Sequence, residues 1–123
     1  IDHGVRCLED AALVQRLAAE RVPLTVCPLS NLKLCVVADL KDHPMKRLLD
    51  VGLCATVNSD DPAYFGGHLN DNFAQTVQAL GLTEADVVQL ARNSFEASFV
   101  CDEHRTALLR KMERCVAGES ANG

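Results

Sequence analysis

The fold class of this chain is decided by residues 53–62, which read LCATVNSDDP. The run from Leu53 to Asn58 is short and largely apolar, so it predicts a buried β-strand. Asp60 and Asp61 follow directly, and Pro62 favours a turn. Because parallel α/β sheets carry their sites at the C-terminal ends of the strands, this stretch predicts a βα unit with polar residues at the functional end.

Two further strand ends repeat this pattern. A short buried strand is predicted from Leu24 to Cys27, and the pair Ser30-Asn31 lies just beyond it. Ile1 is interpreted as the tail of another strand, and His3 follows it. Amphipathic helices separate these segments, so the order of elements predicts an α/β fold with a parallel sheet. Three successive strand ends that supply polar side chains are the strongest indication of a functional site.

The spacing of apolar residues predicts five helices, at residues 8–21, 45–50 and 70–80, and starting at 83 and 102. The stretch from Leu29 to His43 is predicted to be a long connection with room for a short helix. Thr83 and Asp86 form a capping-box signature, and the inward side of their helix is expected to carry Val88, Ala91, Phe95 and Phe99. Asp102 is expected to cap the last helix, whose inward residues would be Leu108, Leu109, Met112 and Val116.

The composition is that of a folded, soluble protein, and the acidic charge makes a buried or small ligand the expected partner. Of the 123 residues, 48% are hydrophobic and 24% are charged, and the net charge is -5. Such an acidic chain lacks the basic surface that nucleic-acid phosphates require. The six cysteines lie in apolar runs without zinc-site spacing, which favours reduced thiols in a cytoplasmic protein. We expect no signal peptide, no membrane span and no nucleic-acid partner, and the sequence carries no prediction of oligomeric state.

The adjacent carboxylates Asp60 and Asp61 have two interpretations. Neighbouring acids at a strand exit favour a cation or hydrogen-bond donors, and one can face a metal while the other faces a substrate. An Asp before Pro is also common in turns and at helix starts. The spacing alone leaves both interpretations open.

His3 and the pair Ser30-Asn31 each have a functional and a structural interpretation, and the sequence leaves both open. A histidine at a strand exit, followed by Gly4, can bind a metal or exchange a proton near neutral pH, and it can equally be structural. Ser30-Asn31 either lines a pocket or forms a turn. The remaining histidines receive no chemical role: His43, His68 and His104.

Five segments form a specific combination of motifs. They are IDHGVRCLED (residues 1–10), VPLTVCPLSNLKL (22–34), VNSDDPAYFG (57–66), NDNF (70–73) and ARNSFEASF (91–99). Each is weak alone, but together and in this order they resemble the adenosine/adenine deaminase family of metal-dependent purine deaminases. The continuation of CPLSN into KLCVV, with DHP and NDNF after it, is more similar to the adenine deaminases than to the nucleoside enzymes.

The resemblance implies a (β/α)₈ TIM barrel, of which this chain would form the C-terminal third. It would hold about strands 6–8 and the following helices, with residues 1–116 as a partial amidohydrolase-type domain and 117–123 as a polar tail. The family uses one Zn²⁺ to activate a water that attacks C6 of a 6-aminopurine and releases ammonia. By resemblance, Asp60 would be a zinc ligand and would hydrogen-bond the water, and Asp61 would bind purine N7. His3 would hold the water, help to deprotonate it and stabilise the tetrahedral intermediate.

The resemblance makes adenine the expected substrate and hypoxanthine the product, with adenosine as the alternative substrate. The family's H-x-H and H-x-x-E segments, which supply further zinc ligands and the acid that protonates the purine, have no counterpart in this sequence. We therefore expect a piece of a longer enzyme that is inactive alone. Other interpretations are a metal-dependent hydrolase with the same barrel but a different substrate, and a regulatory or non-catalytic α/β fragment.

Overall fold

Two parallel strands form the centre of the fold: β1 (Pro23–Val26) and β2 (Cys54–Val57). The computed structural model describes residues 1–118. Pro23 lies opposite Cys54 and Val26 opposite Val57. Asp2 adds a single parallel bridge to Thr25, so the backbone that leads into His3 runs beside β1. The α/β class is confirmed, although the first of the three predicted strands is reduced here to one bridge.

Helices connect and cover these strands. The described residues contain two 3-10 helices, at Val5–Glu9 and Leu40–Asp42. The α-helices are α1 (Ala11–Ala19), α2 (Pro28–Lys33), α3 (Met45–Asp50), α4 (Pro62–Phe65), α5 (Leu69–Leu80), α6 (Glu84–Ala97) and α7 (Asp102–Val116). Each crossover from strand to parallel strand therefore contains helix, as the βα pattern predicts.

Helix boundaries differ from the predictions where local capping decides them. The first helix was predicted to begin at residue 8, but the Asp10 carboxylate accepts hydrogen bonds from the backbone N–H groups of Ala12 and Leu13. This cap sets the start of α1 at Ala11 and leaves the preceding turn as a separate 3-10 helix. Helix α2 occupies part of the predicted long connection, and α3 has the predicted bounds.

The last two helices contain corrections. The Thr83–Asp86 capping box is confirmed, but α6 ends at Ala97, and Phe99 beyond it is fully exposed at 108%. The prediction that Phe99 faces inward is therefore wrong. Cys101, not Asp102, is the N-cap residue of α7, and the Asp102 carboxylate instead pairs with Arg105. Leu108, Leu109 and Met112 are half-buried, whereas Val116 is exposed, contrary to expectation. The predicted tail begins at Ala117, and its residues 119–123 lie outside the described residues.

The core lies between the sheet and the helices that pack on it. Its fully or almost fully buried members include Leu24, Val26, Met45, Leu48, Leu53, Ala55 and Leu90. Apolar burial of this kind contributes about 25 cal/mol for each Å² removed from water, so these side chains hold α3 and α6 against β2. All six cysteines are free. Within residues 1–118, no helix combines the length and the apolar character that a bilayer span requires.

Asn93 is the polar link between α6 and the sheet. It is fully buried, and its Nδ2 donates to the carbonyl oxygen of Ala55 in β2 at 2.8 Å. Its Oδ1 accepts from Gln89 Nε2 at 2.8 Å and from an Arg21 guanidinium nitrogen at 3.2 Å. Every polar atom of this buried amide therefore has a role in fixing the helix on the strand.

Replacing Asn93 with alanine is expected to lower the free energy of unfolding by about 2–3 kcal/mol, because a buried hydrogen-bonded group is removed and its partners are left without it. Urea titration followed by circular dichroism measures this loss. The matched control is Asn70→Ala at an exposed position of α5, where we expect a change below about 0.5 kcal/mol. Equal effects of the two substitutions would contradict the role given to Asn93.

Candidate functional site

His3 and Asp60 meet at the C-terminal ends of neighbouring strands. His3 Nε2 lies 3.9 Å from Asp60 Oδ2. Cys27, at the end of β1, joins them: one potential metal-binding atom from each of the three residues lies within 4.8 Å of the other two. The prediction that polar residues after separate strands converge is thus realised for His3 and Asp60, although they are 57 positions apart in the sequence.

The backbone turns sharply at both residues. His3 has φ of 54° and Asp60 has φ of 55°, and both lie in the left-handed region that L-residues other than glycine seldom adopt. In each case the left-handed residue follows the strand end and redirects the chain into a helix or a turn. Non-glycine residues in this conformation are concentrated at functional sites, where the surrounding structure holds them in place.

Ser30 fixes the Asp60 carboxylate. Its Oγ donates to Asp60 Oδ2 at 2.7 Å, and the serine is fully buried in the first turn of α2. Asp60 Oδ1 is left without a hydrogen bond from the described residues and remains available to a ligand. Ser30 and Asn31 lie on helix α2 and not in a simple turn, and they contact Asp60 and His3 from the buried side. Neither residue is among those that line the cavity beside that pair.

Asp61 has a different position from Asp60. Its Oδ1 accepts from the backbone N–H groups of Ala63 and Tyr64, so it is the N-cap of α4. The helix-start interpretation of the second carboxylate is thus realised in the structure. Its Oδ2 accepts no hydrogen bond from the described part of the chain, so one oxygen stays open to solvent or a ligand.

Cys27 was treated from the sequence only as a small apolar residue, and the structure places it beside Asp60. Burial, with the negative charge of Asp60 as a lesser cause, raises the pKa of the thiol to about 11. Its Sγ–H donates to the carbonyl oxygen of Thr25 at 3.3 Å. Cys27 is therefore a neutral thiol at physiological pH, and thiolate chemistry at this position would first require its deprotonation.

Asn31 and His43 form a buried polar network behind His3. Asn31 Nδ2 lies 3.4 Å from His3 Nδ1, and Asn31 Oδ1 lies 3.0 Å from His43 Nε2. His43 is only 3% exposed, and burial lowers its pKa to about 4. The prediction that His43 is a residue of a polar connection without a role is corrected, because its ring is buried and bonded to Asn31 and to the backbone of Met45. No motif around His43 indicated this burial.

The buried His43 predicts a pH dependence of stability. Its pKa in the folded protein, about 4, lies below the ordinary histidine value of 6.5, so the unfolded chain binds more protons between these pH values. The free energy of unfolding is therefore expected to fall as the pH drops from 6.5 to 4, by up to about 1.4 kcal/mol per pH unit. Urea titrations at several pH values measure this slope. In His43→Gln the slope should be shallower, and an unchanged slope would assign the effect to other groups.

A cavity of 660 Å³ opens beside the His3–Asp60 pair. Its wall includes His3, Cys27, Asn58, Asp60 and Leu69. Small-molecule sites commonly have volumes of about 300–1,000 Å³ and combine apolar walls with a few polar groups. The cavity therefore has the size and the mixed lining of a small-molecule site.

These features define an α/β protein whose site lies at the C-terminal ends of parallel strands, the arrangement of many α/β enzymes. A sequence model described as adenosine deaminase matches residues 1–115. The chain belongs to the adenosine deaminase family, and the resemblance drawn from its motifs is confirmed.

Curated relatives with high identity are named adenine deaminases. The protein from Hahella chejuensis is 58% identical over 114 residues, which is 93% of this chain and 34% of the relative. The protein from Paraburkholderia phytofirmans is 61% identical over 113 residues, which is 92% of this chain and 32% of the relative. The chain thus spans about a third of the length of the relatives that it matches.

Solved structures agree in fold. The crystal structure of an adenine deaminase from Arthrobacter aurescens matches with a TM-score of 0.92 and 51% identity, over 95% of this chain and 36% of that one. A zinc-bound amidohydrolase from Burkholderia ambifaria matches with a TM-score of 0.81 at 23% identity, over 98% of this chain and 35% of that one. The second likeness supports the fold alone.

Proposed function

We propose that this chain contributes to the zinc-dependent hydrolytic deamination of adenine to hypoxanthine and ammonia, as part of a longer enzyme. In this proposal residues 1–116 are the C-terminal portion of a (β/α)₈ barrel, about strands 6–8 with the following helices. The enzyme would act in purine salvage in the cytoplasm, where the six free thiols would stay reduced. Its partner would be a small purine, with neither nucleic acid nor a membrane involved.

The convergence of His3 and Asp60 carries this proposal. A histidine and a carboxylate that come from separate strand ends, with 3.9 Å between Nε2 and Oδ2, can act on one and the same water molecule. Membership of the family and the high identity to proteins named adenine deaminase support adenine as the substrate. Membership also favours this reaction over the other two interpretations, a hydrolase of a different substrate class and a regulatory fragment.

The side chains present fit a divalent metal. Within residues 1–118 no group donates to Asp60 Oδ1, while Ser30 holds Oδ2, so the carboxylate is pre-oriented with one oxygen free. Carboxylate oxygen and histidine nitrogen are ordinary ligands of zinc, which in catalytic sites takes three protein ligands. When bound, Zn²⁺ supplies a nucleophile at neutral pH by lowering the pKa of water. Because Asp60 is the one ligand proposed here, further ligands must come from outside this chain.

Each residue of the site has a proposed task. Asp60 would hold the metal, and its carboxylate could accept a hydrogen bond from the attacking water. His3 would hold that water and help to deprotonate it. Asp61 contacts purine N7 through its free carboxylate oxygen, a contact that requires one shared proton. These tasks divide the two adjacent carboxylates between metal and substrate.

The proposed function is tested in a hybrid enzyme. The 114-residue segment of the Hahella chejuensis adenine deaminase that matches this chain is exchanged for this chain's own residues. Ammonia release and hypoxanthine formation are then measured with adenine, adenosine and a simple amide. We expect turnover of adenine in preference to adenosine, and none of the amide. A folded, zinc-loaded hybrid without deaminase activity would contradict the proposed function, and a preference for adenosine would correct the substrate.

The isolated 123-residue chain is the companion experiment. We expect no turnover of adenine when Zn²⁺ is added to it, because too few ligands are present to hold the ion. Measurable turnover by this chain would show that the site is complete as it stands.

A further inference from the structure

The side chain of Asn72, in the NDNF segment of α5, holds the start of α2. Its Oδ1 accepts a hydrogen bond from the backbone N–H of Leu29 at 3.1 Å. That N–H lies in the first turn of α2, where backbone donors find no partner within the helix itself. The thiol of the N-cap residue, Cys27, is directed to the carbonyl oxygen of Thr25 instead. An amide from a distant helix therefore does for α2 what a local capping residue commonly does.

The same amide fixes the loop that leads into α5. Asn72 Nδ2 donates to the carbonyl oxygen of His68 at 3.0 Å and lies 3.5 Å from that of Gly67. This loop packs closely on α2, because a Cβ at Gly67 would lie 2.5 Å from Leu29 Cδ1. Asn72 is fully buried, so water cannot take over these contacts. One buried side chain thus joins α2, α5 and the loop between α4 and α5.

Helix α2 connects this anchor to the candidate site. Ser30 follows Leu29 directly, and its Oγ donates to Asp60 Oδ2 at 2.7 Å. Asn31 comes next, and its Nδ2 lies 3.4 Å from His3 Nδ1. Because α2 has only six residues, a contact at its first turn determines where both of these side chains lie. A displacement of about 1 Å near reacting groups can lower a rate about 10²-fold.

We propose that Asn72 is a positioning residue of the candidate site, which holds Ser30, and through Ser30 the carboxylate of Asp60, by fixing the first turn of α2. Asn72 itself lies outside the wall of the cavity beside His3 and Asp60, so it acts through α2. Its effect on turnover rests on the proposed function of Asp60. Its effect on α2 is independent of that function and can be measured in a protein without activity.

Two substitutions in the hybrid enzyme separate the two contacts of Asn72. Asn72→Ser keeps a hydroxyl that can donate to the carbonyl oxygen of His68, four positions earlier, but it is too short to reach the N–H of Leu29. Asn72→Asp keeps the oxygen that accepts from Leu29 and loses the donor to His68. The matched control is Asn93→Ala, which removes another buried asparagine, one that holds α6 on the sheet and not α2.

The kinetic prediction concerns the contact with Leu29. We expect Asn72→Ser to lower kcat for adenine and the affinity for zinc about 10–100-fold, the range for residues that orient metal ligands. Asn72→Asp should retain most of both, and Asn93→Ala should match the parent in both. Steady-state kinetics measure kcat, and competition with a chelator measures the zinc affinity.

A double substitution tests the route through Ser30. Ser30→Ala alone should lower kcat and zinc affinity at least as much as Asn72→Ser. The double variant should lose no more than Ser30→Ala, because both residues act on one carboxylate and their effects are then not additive. Additive losses would overturn the route through Ser30.

Hydrogen exchange followed by mass spectrometry examines α2 without reference to activity. Exchange in the peptide that contains Leu29 should be about 10-fold faster in Asn72→Ser than in the parent, because the amide loses its buried acceptor. It should be unchanged in Asn72→Asp and in Asn93→Ala. This pattern would support the proposal even in a hybrid without deaminase activity, where the proposed function itself would have failed.

Two results would overturn the proposal. One is parent-like exchange of α2 in Asn72→Ser. The other is an equal loss of kcat in Asn72→Ser, Asn72→Asp and Asn93→Ala, because general destabilisation affects all three alike. Where Asn72→Ser fails to fold, Asn72→Thr replaces it, since threonine carries the same hydroxyl and fills more of the space that asparagine leaves.

Discussion

Replacement of Asp60 with asparagine is expected to lower kcat for adenine at least about 10³-fold in the hybrid enzyme and to remove most of its zinc. The amide keeps the size of the side chain and its contact with Ser30 Oγ, but it loses the charge that holds a divalent cation. Changes in residues that merely orient metal ligands cost about 10–100-fold in metal affinity, so the loss of a ligand should cost more. Steady-state kinetics and metal analysis of the purified protein measure the two effects.

The matched control for Asp60→Asn is Glu103→Gln, which removes an exposed carboxylate from α7, far along the chain from the site. Its kcat and zinc content should equal those of the parent hybrid. Retention of full zinc content in Asp60→Asn would show that the carboxylate is no ligand, and retained turnover would exclude any role of Asp60 in the reaction.

Replacement of His3 with glutamine should separate chemistry from metal binding. We expect kcat to fall about 10²–10⁴-fold, the range for loss of a general acid or base, while zinc content stays at the level of the parent. The reason is that His3 is proposed to hold and deprotonate the water, and Gln can hydrogen-bond a water but cannot accept its proton at neutral pH. Steady-state kinetics with adenine and metal analysis of the same preparation measure kcat and the zinc content.

His104→Gln is the control for His3→Gln, since His104 lies exposed on α7. It should leave kcat unchanged. Loss of zinc together with turnover in His3→Gln would instead make His3 a metal ligand, alongside Asp60 and the neighbouring thiol of Cys27. His3 and Asp60 would then share the role of metal ligand, and His3 would lose its separate role in deprotonating the water.

The strands β1 and β2, and the end of the sheet at which His3 and Asp60 lie, were predictable because they depend on local sequence. A buried apolar run that ends in Ser-Asp-Asp-Pro specifies a strand and its exit without reference to the remainder of the chain. The helix α3 follows in the same way from Pro44 before it and Gly52 after it, and the capping box of α6 from Thr83 and Asp86. Capping and periodicity act within about one helical turn, so a single sequence contains them.

The contacts that organise the site could not be predicted, because they join residues that are distant in the sequence. The Ser30–Asp60 hydrogen bond spans 30 positions and joins α2 to the segment that follows β2. The burial of His43 depends likewise on tertiary packing, including its contact with Asn31, and a histidine in a polar stretch gives no sign of it. Phe99 was assigned inward by extending the period of α6 beyond the residue where the helix ends.

The positive φ angles of His3 and Asp60 restrict how this site can be redesigned. Asp, Asn and His are the side-chain-bearing residues that enter this backbone region with least cost, whereas Glu and β-branched residues enter it rarely. Exchange of Asp60 for the longer carboxylate of Glu would thus strain the main chain, whichever ligand the site takes. If the proposed metal is bound there, attempts to change the metal preference should vary partners such as Ser30 and keep the residue types at positions 3 and 60 within this small group.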